Sequence, residues 1–194
     1  MTYHISPRYT VDDFSKHWTL EDKIGVFIDR IEGWYLGVAN EIIKRDIPGR
    51  DLALLHLVAS FFEMISKYNS GFLGEGKSKE HFRKGVRLVF PEIEPEVEGF
   101  IDALYKGVRN GLYHIGRPGP NVIIDKNLPG SVGYNAQDNM IMVSPDQLVG
   151  DISIRFTAYV QALRNPKNIE LRSNFEKRFD SDNKLVPKLD KDQQ

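Results

Sequence analysis

Between Asp51 and Tyr68 the chain carries Leu52, Leu54, Leu55, Leu57, Val58, Phe61, Phe62, Met64 and Ile65, apolar side chains spread around most of a helix. A helix of that kind has little face to offer water, so it has to sit centrally with other elements packed around it. The apolar run is interrupted by His56 and Glu63 and is too short to span a bilayer, so no membrane association is expected. A chain of 194 residues most simply forms one domain. At that length it buries roughly 70% of its unfolded surface and needs no covalent staples.

The flanking segments supply the surrounding helices. From Leu20 to about Arg45, Ile24, Phe27, Ile28, Ile31, Trp34, Tyr35, Val38, Ile42 and Ile43 recur at steps of three and four. That spacing predicts a long amphipathic helix with Trp34 and Tyr35 in the core, broken at Pro48-Gly49. A loop with Gly71, Gly74 and Gly76 follows the central helix. Ser78 reads as the N-cap of the next helix, with Glu80 and His81 in its first turn and Phe82, Val86, Leu88 and Val89 inside it. Glu94-Pro95-Glu96 opens another helix, which runs to about His114. The alternating Glu92, Glu94, Glu96 and Glu98 fit capping and dipole compensation better than acid–base work.

Beyond the Gly/Pro stretch from Gly116 to Pro120, Val122-Ile123-Ile124 and Met140-Ile141-Met142-Val143 read as two short strands. Ser144-Pro145 starts the last long helix, to about Leu163, and residues 166–179 fit a short extra one. The expected architecture is mainly α: an antiparallel helical bundle of four to five helices, with a small β-hairpin insertion at about 121–143 before the last long helix. Residues 1–19 are expected to be irregular, 20–179 to form the domain, and 180–194 to be a flexible charged tail.

Several function classes drop out. There is no cysteine, which excludes disulfides, thiolate metal sites and cysteine nucleophiles and fits a reducing, cytoplasmic setting. Met1 to Arg8 lacks an apolar h-region, so no signal peptide is expected. His4, His17, His56 and His81 show no metal-ligand spacing, and neither metal nor cofactor is expected; His56 reads as a core or boundary residue. Gly71 to Ser78 matches the phosphate-loop pattern, and Val122 to Asp125 resembles its acidic strand, but a phosphate loop must leave a buried strand and this segment leaves a helix. A net charge of −1 gives no global attraction to nucleic acid, so any RNA contact needs a local basic patch.

The end of the helix reaching His114 carries the chemistry. Phe100, Leu104, Val108 and Leu112 form its core stripe, with Ile101 and Tyr105 beside it. Gly107 and Gly111 lie on one flank, where a neighbour from the same chain or a second copy can approach closely. Asn110 and His114, four apart, share a face, so the amide can orient the imidazole. Arg109 points about 140° away from His114 on an ideal helix, so the two converge only through a distorted helix end or a second subunit.

The run Leu104-Tyr105-Lys106-Gly107-Val108-Arg109-Asn110-Gly111-Leu112-Tyr113-His114 resembles the signature of HEPN domains (higher eukaryotes and prokaryotes nucleotide-binding). In that signature an arginine is followed by four to six residues and a histidine near a helix end. The resemblance implies a helical bundle, a homodimer, and in many members a metal-independent endoribonuclease leaving 2′,3′-cyclic phosphate ends. Such proteins often belong to defence or toxin systems with a cognate protein partner. It assigns Arg109 and His114 to the two motif positions and Asn110 to the polar position after the arginine. The chemistry is consistent: an imidazole titrates near neutrality and can take the proton of a ribose 2′-hydroxyl, while a guanidinium grips the phosphate. An arginine and a histidine at a helix C-terminus also complement its dipole without catalysing anything. The alternative is therefore a non-catalytic binding or dimerisation module.

Lys77, Lys79, Arg83, Lys84 and Arg87 cluster on one helix; with Lys106 and Arg117 they form either an RNA-guiding patch or a solvated face. Glu63 is either the partner of Arg109 or a residue of an exposed edge.

Overall fold

The computed structural model describes residues 3–13, 18–45, 47–92 and 98–183 of the chain. Among them are six helices: α1 over residues 20–45, α2 over Arg50–Ser70, α3 over Ser78–Val89, α4 over residues 98–115, α5 over Pro145–Arg164 and α6 over Ile169–Asn183. Strands β1 (Val122–Ile124), β2 (Val132–Asn135) and β3 (Met140–Val143) form one small sheet. The molecule is mainly helical, and no helix among the described residues is long and apolar enough to cross a membrane.

The central helix is α2. Phe61 meets Phe156 of α5 edge-on, with ring centroids 6.4 Å apart, Phe62 meets Phe82 of α3 at 5.2 Å, and Tyr68 lies between Phe27 of α1 at 4.4 Å and Phe175 of α6 at 5.6 Å. Each such pair adds about 0.5–1.5 kcal/mol beyond the burial of its area. Helix α3 runs antiparallel to α2 at very close range. A Cβ on Gly85 would collide with the backbone of Phe62, so only glycine fits there. Lys77, with a left-handed φ of 57°, is the cap residue of α3 and Ser78 is its first helical residue, one position from the expected boundary.

Helix α1 departs from its predicted face. A π-turn over Ile31–Leu36, closed by the Gly37 N–H donating to the Glu32 carbonyl, inserts one extra residue. The buried stripe runs Ile24, Phe27, Ile31 and then Ala39, and Tyr35 and Leu36 pack on its edge. Trp34, placed in the core by its spacing, is 45% exposed, and Val38 turns outward with it.

The short extra helix expected at residues 166–179 is α6, shifted to Ile169–Asn183, so that it takes in the first four residues assigned to the flexible tail. It is held by Phe175 and Phe179, both fully buried, and by Lys23, whose ammonium donates to Glu176 at 2.6 Å and Asp180 at 3.1 Å. The segment near the N-terminus has little regular structure but is anchored. The Asp29 carboxylate accepts from Ser6 Oγ at 2.6 Å and from the Arg8 backbone and side chain at 2.8 and 2.6 Å. His17, Glu94, Glu96 and the tail from residue 184 lie outside the described residues.

Both predicted strands are present, but they do not form a hairpin with each other. β1 and β3 pair in parallel, with Val122 opposite Ile141, and the hairpin is β2–β3, with Val132 opposite Val143. The β2–β3 turn is built by Asn135, whose Oδ1 accepts from the Gln137 N–H at 3.0 Å. Ile141 and Val143 fill the core side of the sheet.

Candidate functional site

Helix α4 begins as α-helix over Glu98–Leu104, passes through a π-turn over Tyr105–Asn110 and ends as α-helix over Gly111–Ile115. Apolar residues four apart drift around an α-helix by about 40° per step. The π-turn absorbs one residue and removes that drift, which keeps Phe100, Leu104, Val108 and Leu112 all buried. The flank with Gly107 and Gly111 is covered by the same chain, and by a loop rather than a helix. A Cβ on Gly111 would lie 2.7 Å from the Arg117 carbonyl oxygen and 2.9 Å from the Gly119 nitrogen. The Gly119 N–H donates to the Gly107 carbonyl at 2.7 Å, so the loop satisfies a carbonyl within the π-turn.

Arg109 faces α2. Its Nε donates to Glu63 Oε1 at 2.7 Å, and both side chains are mostly covered, at 16% and 14% exposure. The guanidinium carbon sits 4.7 Å from the centroid of Tyr113 and 5.6 Å from that of Tyr105, one helical turn to either side. Glu63 is thus the partner of Arg109. The carboxylate takes the Nε edge, Nη1 reaches Asn110 Oδ1 at 3.3 Å, and Nη2 has no hydrogen-bond partner among the described residues. Asn110 therefore contacts Arg109 rather than His114.

His114 is exposed in the last turn of α4 and makes no hydrogen bond or ion pair among the described residues. The helix is distorted, one of the two routes by which the motif residues could converge, but the π-turn ends at Asn110 and no hydrogen bond joins Arg109 to His114. Gly116, at a φ of 76°, stops the helix just beyond.

The basic residues are largely compensated. Lys79 and Arg83 share Asp102 at 3.0 and 3.6 Å, and Lys84 and Lys77 share Glu80 at 2.7 and 3.7 Å. Arg87 is half-buried on the same helix, Lys106 is exposed on α4, and Arg117 is exposed in the loop with Nη1 3.4 Å from the Pro118 carbonyl. Glu92 pairs with Arg155 of α5 at 3.2 Å.

His56 is exposed, not a core residue, and lies beside the site with its ring centroid 6.3 Å from that of Tyr113. A signal for this exists in the sequence. His56, Ser60, Glu63 and Lys67 fall at steps of four, three and four, a polar stripe along an otherwise apolar helix. The same stripe places Glu63 toward α4. Gly71 to Ser78 leaves helix α2 and no strand, so the phosphate-loop context is absent. Among the described residues no three side chains are grouped to hold a metal ion. No family model, curated protein or solved structure matches the chain.

Proposed function

We propose that this chain is a HEPN-like endoribonuclease whose site is the end of α4. His114 takes the proton of a ribose 2′-hydroxyl, the 2′-oxygen attacks the adjacent phosphorus, and the bond to the 5′-oxygen breaks to leave a 2′,3′-cyclic phosphate. Arg109 stabilises the extra charge on the phosphate. The reading is carried by the way Arg109 is held: Glu63 fixes the guanidinium through Nε and Nη2 is left without a hydrogen-bond partner among the described residues, beside a helix end that presents an exposed imidazole. A pre-positioned guanidinium with an open edge suits a phosphate oxygen. In the same proposal the protein is a homodimer, and a second copy facing the first would bring one copy's His114 toward the other's Arg109.

A second reading, a non-catalytic binding or dimerisation module, is favoured by the neutralisation of Arg109 by Glu63 and of the α3 basic residues by Asp102 and Glu80. Incubation of the purified protein with RNA in a chelator separates the two. The expected outcome is cleavage to cyclic-phosphate ends, reduced about 100-fold or more in His114→Ala and in Arg109→Ala. Intact RNA at high protein concentration would leave only the second reading.

A further inference from the structure

The motif supplies a base and a cation but no proton donor. The leaving 5′-oxygen must gain a proton as its bond to phosphorus breaks, and a guanidinium, which does not deprotonate in proteins, cannot give one. Three groups can be considered, the Tyr105 and Tyr113 phenols against the Arg109 guanidinium and the His56 imidazole against Tyr113. Phenols titrate near 10, whereas a general acid works best when its pKa lies near the working pH.

His56 is configured for proton traffic. It stands exposed on the polar stripe of α2, two helical turns before Glu63. Its Nδ1 is 2.9 Å from the Leu52 carbonyl oxygen. A carbonyl can only accept, so Nδ1 carries hydrogen and the tautomer is fixed. Nε2 is then the atom that gains and loses a proton. The ring lies against Tyr113, whose own ring lies under the guanidinium of Arg109. His56 therefore belongs to the same surface as the phosphate-binding candidate, from a different helix and with no need of a second subunit. Titratable groups tied to this surface are Tyr35 of α1, whose hydroxyl accepts from Ser60 at 3.3 Å, Glu63 of α2, and Tyr105, Arg109, Tyr113 and His114 of α4.

We propose that His56 is a catalytic residue of this site, the general acid that protonates the leaving 5′-oxygen; this rests on the ribonuclease reading above. The step balances. The 2′-hydroxyl proton passes to His114, the bond from the 2′-oxygen to phosphorus forms, the bond to the 5′-oxygen breaks, and the Nε2 proton of the His56 imidazolium passes to the departing oxygen. Exchange with water then restores both histidines.

The test uses the full chain and two substrates, ordinary RNA and RNA in which the scissile 5′-oxygen is replaced by sulfur, a leaving group that departs as a thiolate without protonation. His56→Ala is expected to cut ordinary RNA about 100-fold more slowly and to lose the alkaline limb of the pH–rate profile. On the sulfur substrate it should return to near the wild-type rate, while His114→Ala stays inactive on both and Tyr113→Phe keeps the alkaline limb. Thermal melts of His56→Ala that match wild type separate this from misfolding, as expected for an exposed side chain. An unchanged rate for His56→Ala on RNA, or a loss that the sulfur substrate does not rescue, overturns the proposal and leaves the ribonuclease reading standing. If the wild-type protein cuts neither substrate, the ribonuclease reading fails and the assignment of His56 fails with it.

Discussion

His81 is a deeply buried histidine, 2% exposed on the inner face of α3. Its Nδ1 is 3.1 Å from Ser66 Oγ, its ring centroid is 4.4 Å from that of Phe72, and Nε2 is buried with no hydrogen-bond partner among the described residues. Burial pushes its pKa below the ordinary histidine value, and Lys67 adds to the effect against the opposing pull of Glu80. The folded pKa lies below the unfolded value of about 6.5, so between the two the unfolded chain binds more protons. The stability contribution of His81 is therefore complete above about pH 6.5 and is lost as pH falls from there to the folded value. Urea unfolding of wild type and His81→Leu should show the wild-type protein losing stability relative to the variant as pH falls below about 6.5. Identical pH dependence in the two would show that His81 does not titrate in this way.

At the scale of elements, the two π-turns decide which residues meet. On α4 the turn is tied to the loop that covers Gly107 and Gly111, and this yields a test that a two-copy seam would fail. A methyl at Gly111 meets the backbone of Arg117 and Gly119, which a side-chain rotation cannot relieve. Gly111→Ala should cost about 1–3 kcal/mol of stability, as overpacking typically does. Its melting temperature should depend on protein concentration no more than that of wild type, because the displaced neighbour is in the same chain. A loss of stability that vanishes on dilution would instead place a second copy there. The same turns mark what the sequence could reveal. Helix α2 was legible because its apolar residues allow only a central position, and the core stripe of α4 because its spacing is regular. The outward turn of Trp34 was not, since nothing in the composition of Ile31 to Leu36 announces one inserted residue. The strand positions were legible from Val122 to Ile124 and Met140 to Val143, but their parallel pairing was not. Strand patterning records which face is buried and says little about the direction of a partner. At the site, Arg109 and His114 could be singled out from the sequence. The bond from Arg109 to Glu63, 46 residues away, was one of two alternatives until the fold resolved it. His56 reads as a core or boundary residue from its apolar neighbours, and the fold exposes it, in line with the polar stripe it shares with Ser60, Glu63 and Lys67.

At the scale of the molecule, α6 closes the helical core and is not a detachable appendage. Phe175 touches both Phe27 of α1 and Tyr68 of α2, with centroids 5.3 and 5.6 Å away, so one side chain joins three helices. Phe179 lies against Trp18 and under the guanidinium of Arg30, which also bonds the Ile5 carbonyl and Asn183. The N-terminal segment, α1 and α6 therefore form one connected unit. Lys23 adds an electrostatic condition. Its ammonium is buried and meets the carboxylates of Glu176 and Asp180, both on α6, so loss of α6 would strip it of both partners as well as uncover an apolar face. Phe175→Ala should cost about 3–5 kcal/mol, the usual range for emptying a buried phenylalanine site. Because typical domains are stable by only about 5–15 kcal/mol, a chain ending before Ile169 should lose cooperative unfolding altogether. If that truncated chain instead melted in a single transition near the wild-type temperature, the core would be complete without α6 and the three-helix junction at Phe175 would be incidental. A cooperative melt for Phe175→Ala at lower temperature, with no cooperative melt for the truncation, would fit α6 as part of the single core that holds α2 in place and, through Glu63, holds Arg109.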